Sequence, residues 1–313
     1  MTESSFTGHE LAGVRICMVT SSHRPDDDRI FFKEARSLVK AGAAVTILFG
    51  KDVEPPAEMD GVLFRGYRGG GSLAKRALSI GTLQRAIRAG CYDVLHCHEP
   101  DALVAALREK RRQGLRVIFD SHELWGALLA QRGPRQLRRT ATAAYHSLER
   151  RWLRRCDGAI GASWAISDFL RGLLPPEMVA TILNVPVTDV FGEVPKRKWG
   201  DRTILCHDGR MTFGRGLKPM AEAVRLLAER HPVRFKIVGD VFGAERDWLN
   251  RFVHEKGLTD IVERTGWLPY QDVGGALSSC HVGLIGLQET PNNVVTSSNK
   301  VFNYLYYGIP FVG

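Results

Sequence analysis

The chain has 313 residues, 44% of them hydrophobic and 25% charged, which is ordinary globular composition and enough for two domains of about 150 residues; disorder and fibre are excluded. No run of about 18 apolar residues occurs, and Met1 to Gly13 has neither a basic start nor an apolar run, so no spanning helix or secretory signal is visible and a cytoplasmic location is expected. The formal charge of +9 favours an anionic partner such as a nucleotide, nucleic acid or acidic membrane surface without choosing between them.

After a tail over 1–13, expected to be flexible, short aliphatic runs alternate with longer amphipathic ones, the pattern of βα units on a parallel sheet. Residues 14–20, 44–49, 93–98, 116–120 and 157–163 read as strands of a first doubly wound sheet. In the helical run after the first strand, Ile30, Phe31, Glu34, Leu38 and Ala41 recur three or four apart, and Gly42 is placed to end it. Residues 187–201, with two glycines, a proline and a basic cluster, read as a linker. Residues 202–208, 234–240, 261–266, 281–287 and 309–313 then read as strands of a second sheet. The expected architecture is thus α/β, with two tandem Rossmann-like doubly wound parallel-sheet domains over 14–186 and 202–313. Because the chain stops inside IPFVG, which reads as a buried strand, with no helix to cover it, the second domain is expected to be truncated. The six cysteines include no C-x-x-C pair and mostly sit in or beside apolar runs, so buried free thiols of a reducing compartment are expected.

The first strong chemical signal opens the second domain. Strand TILCHD leads into Gly209, Arg210, Met211, Thr212, Phe213, Gly214, Arg215 and Gly216, and a helix follows. Strand, glycine-rich turn and helix start gather free N–H groups and the positive end of a helix dipole beside two guanidiniums, as a diphosphate site requires. An ordinary turn with solvated arginines is the plain alternative. The spacing is not that of a P-loop. Further on, Ser297 or Ser298 is a natural N-cap, and Lys300 in the first turn has the wrong sign for the dipole unless an anion also sits there.

In the first domain the polar clusters His98-Glu99-Pro100-Asp101 and Asp120-Ser121-His122-Glu123 end two strands, where ligands of open α/β sheets bind. Histidines and carboxylates there orient hydroxyls and handle protons. Alternatively Asp101 caps the next helix and His96 is a core residue. His96 and His98 share a face, as in the H-x-H pair of a metal-dependent hydrolase. Residues 132–155 hold eight arginines against the single acid Glu149, with Leu137, Ala141, Tyr145, Leu148 and Trp152 as an apolar stripe. This reads either as a packed helix with a solvated basic face or as a helix docking on anionic lipid. The aromatics are not interleaved as a nucleic-acid stacking platform, so no nucleic-acid partner is expected.

In order and spacing, SSHRPDDDRIFFKEARSLVKAGAAVTIL, YDVLHCHEPDAL, VIFDSHEL, TILNVPVTDVF, GRMTFGRGL, FKIVGD and NKVFNYLYYGIPFV resemble the family 4 retaining glycosyltransferases of GT-B fold. The resemblance implies an acceptor-binding first domain and a second domain that binds a nucleotide sugar. It also implies transfer in the cleft with retention, without metal or cofactor, the nucleoside-diphosphate sugar being the donor substrate. Arg210 and Arg215 then hold the donor diphosphate, with Gly209, Gly214, Gly216, Ser298, Lys300 and Asn303 in the donor site. His122 meets the transferred sugar, while His98 with Glu99, Asn184, and His23 and Arg29 in place of the usual glycine-rich first loop lie on the acceptor side. The family's E-x7-E acids fall on Val295 and Asn303, so both are missing, and Glu289 lies six residues earlier. The implied role is transfer to a glycan or lipid-linked acceptor in cell-surface polysaccharide or glycolipid assembly, peripheral at the inner membrane face. A non-catalytic nucleotide-sugar-binding or scaffold protein is the alternative.

Overall fold

The computed structural model describes residues 10–50, 56–69, 72–126, 128, 136, 138–197, 199–290, 293–294 and 297–313. It separates into two compact units, Met1–Leu183 and Asn184–Gly313. Most of the tail, Val295 and part of the basic segment, including Arg132, Arg135 and Leu137, lie outside the described residues.

The first unit is an eight-stranded sheet. Its strands are β1 (Arg15–Thr20), β2 (Ala44–Gly50), β3 (Glu58–Met59), β4 (Val62–Tyr67), β5 (Val94–Cys97), β6 (Arg116–Ser121), β7 (Gly158–Gly161) and β8 (Val179–Thr181). Their order is β3-β4-β2-β1-β5-β6-β7-β8, parallel throughout except for the β3–β4 pair. Alternate residues of β1 serve opposite faces: Cys17 and Val19 join a core with Leu95, Leu103 and Phe119, while Ile16 and Met18 join one with Ile30, Phe31 and Ile47. That double burial is why these strands read as unbroken apolar runs. Strand β4 escapes the sequence pattern because Arg65 and Gly66 interrupt it at exposed positions.

The second unit holds β9 (Thr203–Asp208), β10 (Val233–Val238), β11 (Val262–Arg264), β12 (Val282–Leu284) and β13 (Phe311–Val312). All are parallel, in the order β11-β10-β9-β12-β13. In both sheets the winding direction reverses beside the first strand, between β1 and β5 and between β9 and β12. The loops that leave the carboxyl ends of these neighbouring strands diverge there and make room for a ligand.

Three expectations change. The helix after β1 begins as a π-helix over Asp28–Ala35 and tightens to an α-helix only over Arg36–Lys40. The segment expected as a linker is docked on the second unit: Phe191 is buried, the Tyr307 hydroxyl donates to its carbonyl at 2.8 Å, and Trp199 stacks on His281 at 4.3 Å. In IPFVG only Ile309 is buried, whereas Phe311 and Val312 are exposed on the edge strand β13. Among the cysteines, Cys17, Cys97, Cys156, Cys206 and Cys280 are buried free thiols, and Cys91 is exposed.

Candidate functional site

At the carboxyl ends of β1 and β5, the first unit gathers its polar residues around two buried carboxylates. Glu99 occupies the N-cap position of the helix Pro100–Gln113 but spends its carboxylate elsewhere. It accepts from the Thr20 hydroxyl (2.8 Å), the Ser21 N–H (2.9 Å), the Ser22 N–H (3.2 Å) and hydroxyl (2.7 Å), and His23 Nδ1 (2.7 Å). Burial alone would favour the neutral acid, yet these donors hold Glu99 well below the usual carboxylate range. Burial would likewise lower His23, but the hydrogen bond and charge of Glu99, with Asp27 and Asp28 nearby, raise it to about 9. His23 is therefore an imidazolium at neutral pH.

The second carboxylate, Asp120 at the end of β6, is fully buried. His122 Nε2 lies 3.0 Å and His98 Nδ1 3.3 Å from its Oδ2, and the two ring nitrogens are 3.2 Å apart. This triangle engages the inner nitrogen of His122 and leaves Nδ1 as the ring atom available to a ligand. The His23 ring stands 5.0 Å from that of His122. Arg29, from the π-helix, closes the cluster from below, with Nε 2.8 Å from Asp120 Oδ2 and 2.9 Å from Glu34 Oε1. Against the pull of burial, the Arg29 charge and His122 hold Asp120 well below its ordinary value. Burial, and then the charge of Asp120, push Glu34 well above its own.

Ligand atoms of Glu34, His96, His98 and Asp120 lie within 4.8 Å of one another, a spacing that would suit a metal ion. Arg29 already supplies a cation to both carboxylates. Burial and the neighbouring His98 hold His96 neutral, pushed down to about 3. The H-x-H pair thus shares a face as expected, with the rings stacked at 4.7 Å, and lies within this Arg29-centred network.

In the second unit the glycine-rich turn follows β9. Gly209 and Gly216 both have φ of +84°, a left-handed conformation that favours glycine. A Cβ on Gly216 would lie 2.3 Å from the Gly286 carbonyl oxygen, so this glycine lets the turn close against the loop after β12. Gly214 meets nothing within 4 Å and is not demanded by packing. Arg210 and Arg215 are exposed; the Arg215 guanidinium donates to the Arg210 carbonyl at 3.0 Å, and the Arg210 guanidinium stands 5.2 Å from the Phe242 ring centre.

The helix Asn299–Tyr306 brings the other side. Ser298 is at its N-cap position but makes no capping bond through its side chain. Lys300 is only 7% exposed, and its Nζ lies 3.6 Å from where a Cβ on Gly209 would stand. Burial lowers its ammonium to about 8, with Asp208 pulling upward and Arg215 downward. Asn303 Nδ2 donates to Asp208 Oδ2 at 2.6 Å.

The structure therefore brings His23, Arg29, His98, Glu99 and His122 into one cluster, and Gly209, Lys300 and Asn303 into another with the arginine-bearing turn. Asn184 is half-buried just past β8, at the head of the second unit. Asp101 sits in the first turn of its helix and pairs with Arg76. Sequence reasoning placed Glu34 in an apolar stripe and noted Asp120 only as a strand-end acid; nothing local marks either of them, or Asp208, as a network centre. In the basic helix Arg138–Leu153, the inward face is Tyr145, Glu149, Trp152 and Leu153. The expected stripe is thus partly spent on the core, while Ala141 and Leu148 are exposed. Among the described residues, no helix is long and apolar enough to cross a membrane.

Known structures share this architecture. Anabaena HepE in complex with UDP and glucose aligns with a TM-score of 0.68 at 14% identity, over 96% of this chain and 80% of that one. Sucrose-phosphate synthase from Thermosynechococcus elongatus aligns with a TM-score of 0.68 at 17% identity, over 95% and 80%. The apo form of the lipopolysaccharide outer core galactosyltransferase WaaB gives 0.57 at 14% identity, over 95% and 80%. No curated protein sequence matches the chain. The family model described as Glycosyltransferase Family 4 matches residues 29–185, about half of the chain. The chain belongs to Glycosyltransferase Family 4, built from two Rossmann-like units of the GT-B kind.

Proposed function

We propose that this protein moves a sugar from a nucleoside-diphosphate sugar to a hydroxyl acceptor with retention of configuration. The observation that carries the reading is Lys300: a buried ammonium with no described hydrogen-bond or ion-pair partner, set against the Gly209 turn beside Arg210 and Arg215. Burying a charge without a direct partner is costly; Asp208 offsets part of that cost, and a diphosphate in the turn supplies a direct counter-charge. The UDP and glucose bound by the similar HepE fit such a donor.

In the proposed step the acceptor oxygen bonds to the anomeric carbon as the bond from that carbon to the diphosphate oxygen breaks. The acceptor proton passes to the departing diphosphate on the same face. Arg210, Arg215 and Lys300 offset the charge that develops on the leaving group. These three cations make a metal unnecessary to the proposal, and chelator is expected to leave turnover unchanged. On the first unit His122, held through its inner nitrogen, presents Nδ1 to the sugar, while His23, Arg29, His98, Glu99 and Asn184 shape the acceptor side. A glycan or lipid-linked acceptor of cell-surface polysaccharide or glycolipid assembly fits the likeness to WaaB. The exposed arginines of 139–155 fit an anionic membrane surface at the inner face.

Nucleoside diphosphates and their sugars, screened for thermal stabilisation of the full chain and then for transfer, test the proposal. Arg215→Ala is expected to lower turnover about 100-fold with little change in melting temperature. Undiminished turnover in that variant removes the donor-site assignment. The second reading, a non-catalytic nucleotide-sugar binder, is motivated by Asn303 standing where the family has an acid. Binding with neither transfer nor sugar release would favour it.

A further inference from the structure

The donor site of the second unit contains a carboxylate that the sequence pattern does not place there. Asp208 ends β9 and is 6% exposed, immediately before the Gly209 turn. A buried acid beside an intended anion site is unfavourable by itself, since two negative charges repel. Its surroundings explain its presence. The Asp208 N–H donates to the Tyr304 hydroxyl at 3.0 Å, which fixes the strand end on the helix Asn299–Tyr306. On the same helix Asn303 donates its amide to the Asp208 carboxylate, and Lys300 lies one turn earlier, close to Gly209.

Resting on the donor-site reading above, we infer that Asp208 is a positioning residue for the donor diphosphate: it fixes the Asn303 amide and keeps the buried Lys300 ammonium charged. With one Asn303 N–H committed to Asp208, the orientation of the amide is set, and its carbonyl oxygen and second N–H are directed elsewhere. Asn303 thus becomes an oriented amide where the family has an acid, and the negative charge moves to the strand end. There it faces the lysine rather than being carried by the helix.

The groups that face Lys300 leave Asp208 as its single negative neighbour among those that shift it. Arg215 of the glycine turn opposes the ammonium. His207 on β9 is buried, pushed down to about 3, and carries no charge at neutral pH. The Tyr304 hydroxyl and the Cys206 thiol, on the helix and on β9, are both pushed up and stay neutral. With Lys300 already brought down to about 8 by burial, loss of Asp208 removes the group that favours its charge, and the lysine becomes neutral nearer physiological pH.

The test is calorimetric titration of the full chain with UDP, and with GDP and ADP in parallel, from pH 6.5 to 9.5 at constant ionic strength. The phosphate groups are largely ionised above about pH 7, and adenine, unlike uracil and guanine, carries no ring N–H that ionises at the alkaline end, so a fall in affinity below about pH 9, or one shared by ADP, reports the protein. The wild type is expected to weaken with a midpoint near pH 8, approaching a tenfold loss per pH unit above it. Asp208→Asn is expected to move the midpoint down by about one unit and to weaken binding about tenfold at pH 8. Lys300→Arg, which stays charged throughout, is expected to bind without this pH dependence. A wild-type midpoint in Asp208→Asn, or tighter binding at pH 7 from relief of simple repulsion, overturns the inference. If Asp208→Asn does not fold, a pH dependence that survives in Lys300→Arg overturns it instead. Failure of the wild type to bind any of the three nucleotides would instead refute the donor-site reading.

Discussion

At the scale of single residues, the second unit holds a charge that is a burden when nothing is bound. Lys300 has its ammonium lowered from 10.5 to about 8 chiefly by burial. That shift corresponds to roughly 3 kcal/mol against the folded state while the lysine is charged, as an order of magnitude. Because the folded value is the lower one, this penalty is full below about pH 8 and fades as pH rises toward 10.5. Lys300→Met is therefore expected to raise the melting temperature of the free protein at pH 7 and to abolish most of the stabilisation by a nucleoside diphosphate. A Met variant that melts lower than the wild type would show that the lysine is structural. The opposite case is Arg29, whose removal strands the Asp120 and Glu34 carboxylates in the interior. Arg29→Ala should cost about 3–5 kcal/mol in urea denaturation. Of these residues, only the lysine was legible from its neighbours in sequence, as a cation at the wrong helix end. Asp120 meets Arg29 across 91 positions, and no local periodicity records such a pairing.

Elements decide which side chains reach the site and which are used up in packing. The loop after β1 is shaped by a single side chain from another strand's end, since Glu99 holds Thr20, Ser21, Ser22 and His23 together. Glu99→Gln removes the negative partner of His23, and the imidazole, raised to about 9 beside the acid, should return toward its ordinary value near 6.5. Nuclear magnetic resonance titration of the ring protons measures this; an unchanged midpoint would mean that Asp27 and Asp28 suffice. The basic helix was legible as a helix and as amphipathic, but its inward face was not. The buried Glu149, bonded to His146 at 3.1 Å, lies on the side that a charge pattern assigns to solvent. What remains outward includes Arg139, Arg150, Arg151 and Arg154, each worth about 1 kcal/mol near an anionic surface. Replacing Arg150, Arg151 and Arg154 with Gln should sharply weaken sedimentation with acidic vesicles and leave that with neutral ones unaltered. Equal binding of the wild type to both vesicle types would defeat the membrane reading.

For the whole molecule, buried titrating groups set the pH range of stability. His96 and His207 are each held near 3 by burial, against an unfolded value near 6.5. The unfolded chain thus takes up protons first, and stability is lost as pH falls below about 6.5. Asp120 and Glu99, both held low, add to that loss below about pH 4. His23 acts in the other direction, since its raised value makes its contribution complete below about 6.5 and lost as pH rises through about 9. Melting temperature followed by circular dichroism is expected to be highest near neutrality and to fall steeply below pH 6. A flat profile down to pH 4 would contradict the buried neutral histidines.

The sequence by itself determined the α/β class, the two sheets, most strands and the glycine-rich turn with its arginines, because each rests on periodicity or spacing within about thirty residues. Strand β4 and the short edge strand β8 lacked enough apolar contrast to be read. Only the tertiary structure decided that Glu34 and Asp120 share Arg29, that Glu99 clasps the β1 loop, and that Asp208 stands between Asn303 and the lysine of the same helix. Those charges became legible when parallel strands brought their carboxyl ends side by side, because the energy of a buried charge is set by what lies within a few ångströms of it and not by its neighbours along the chain.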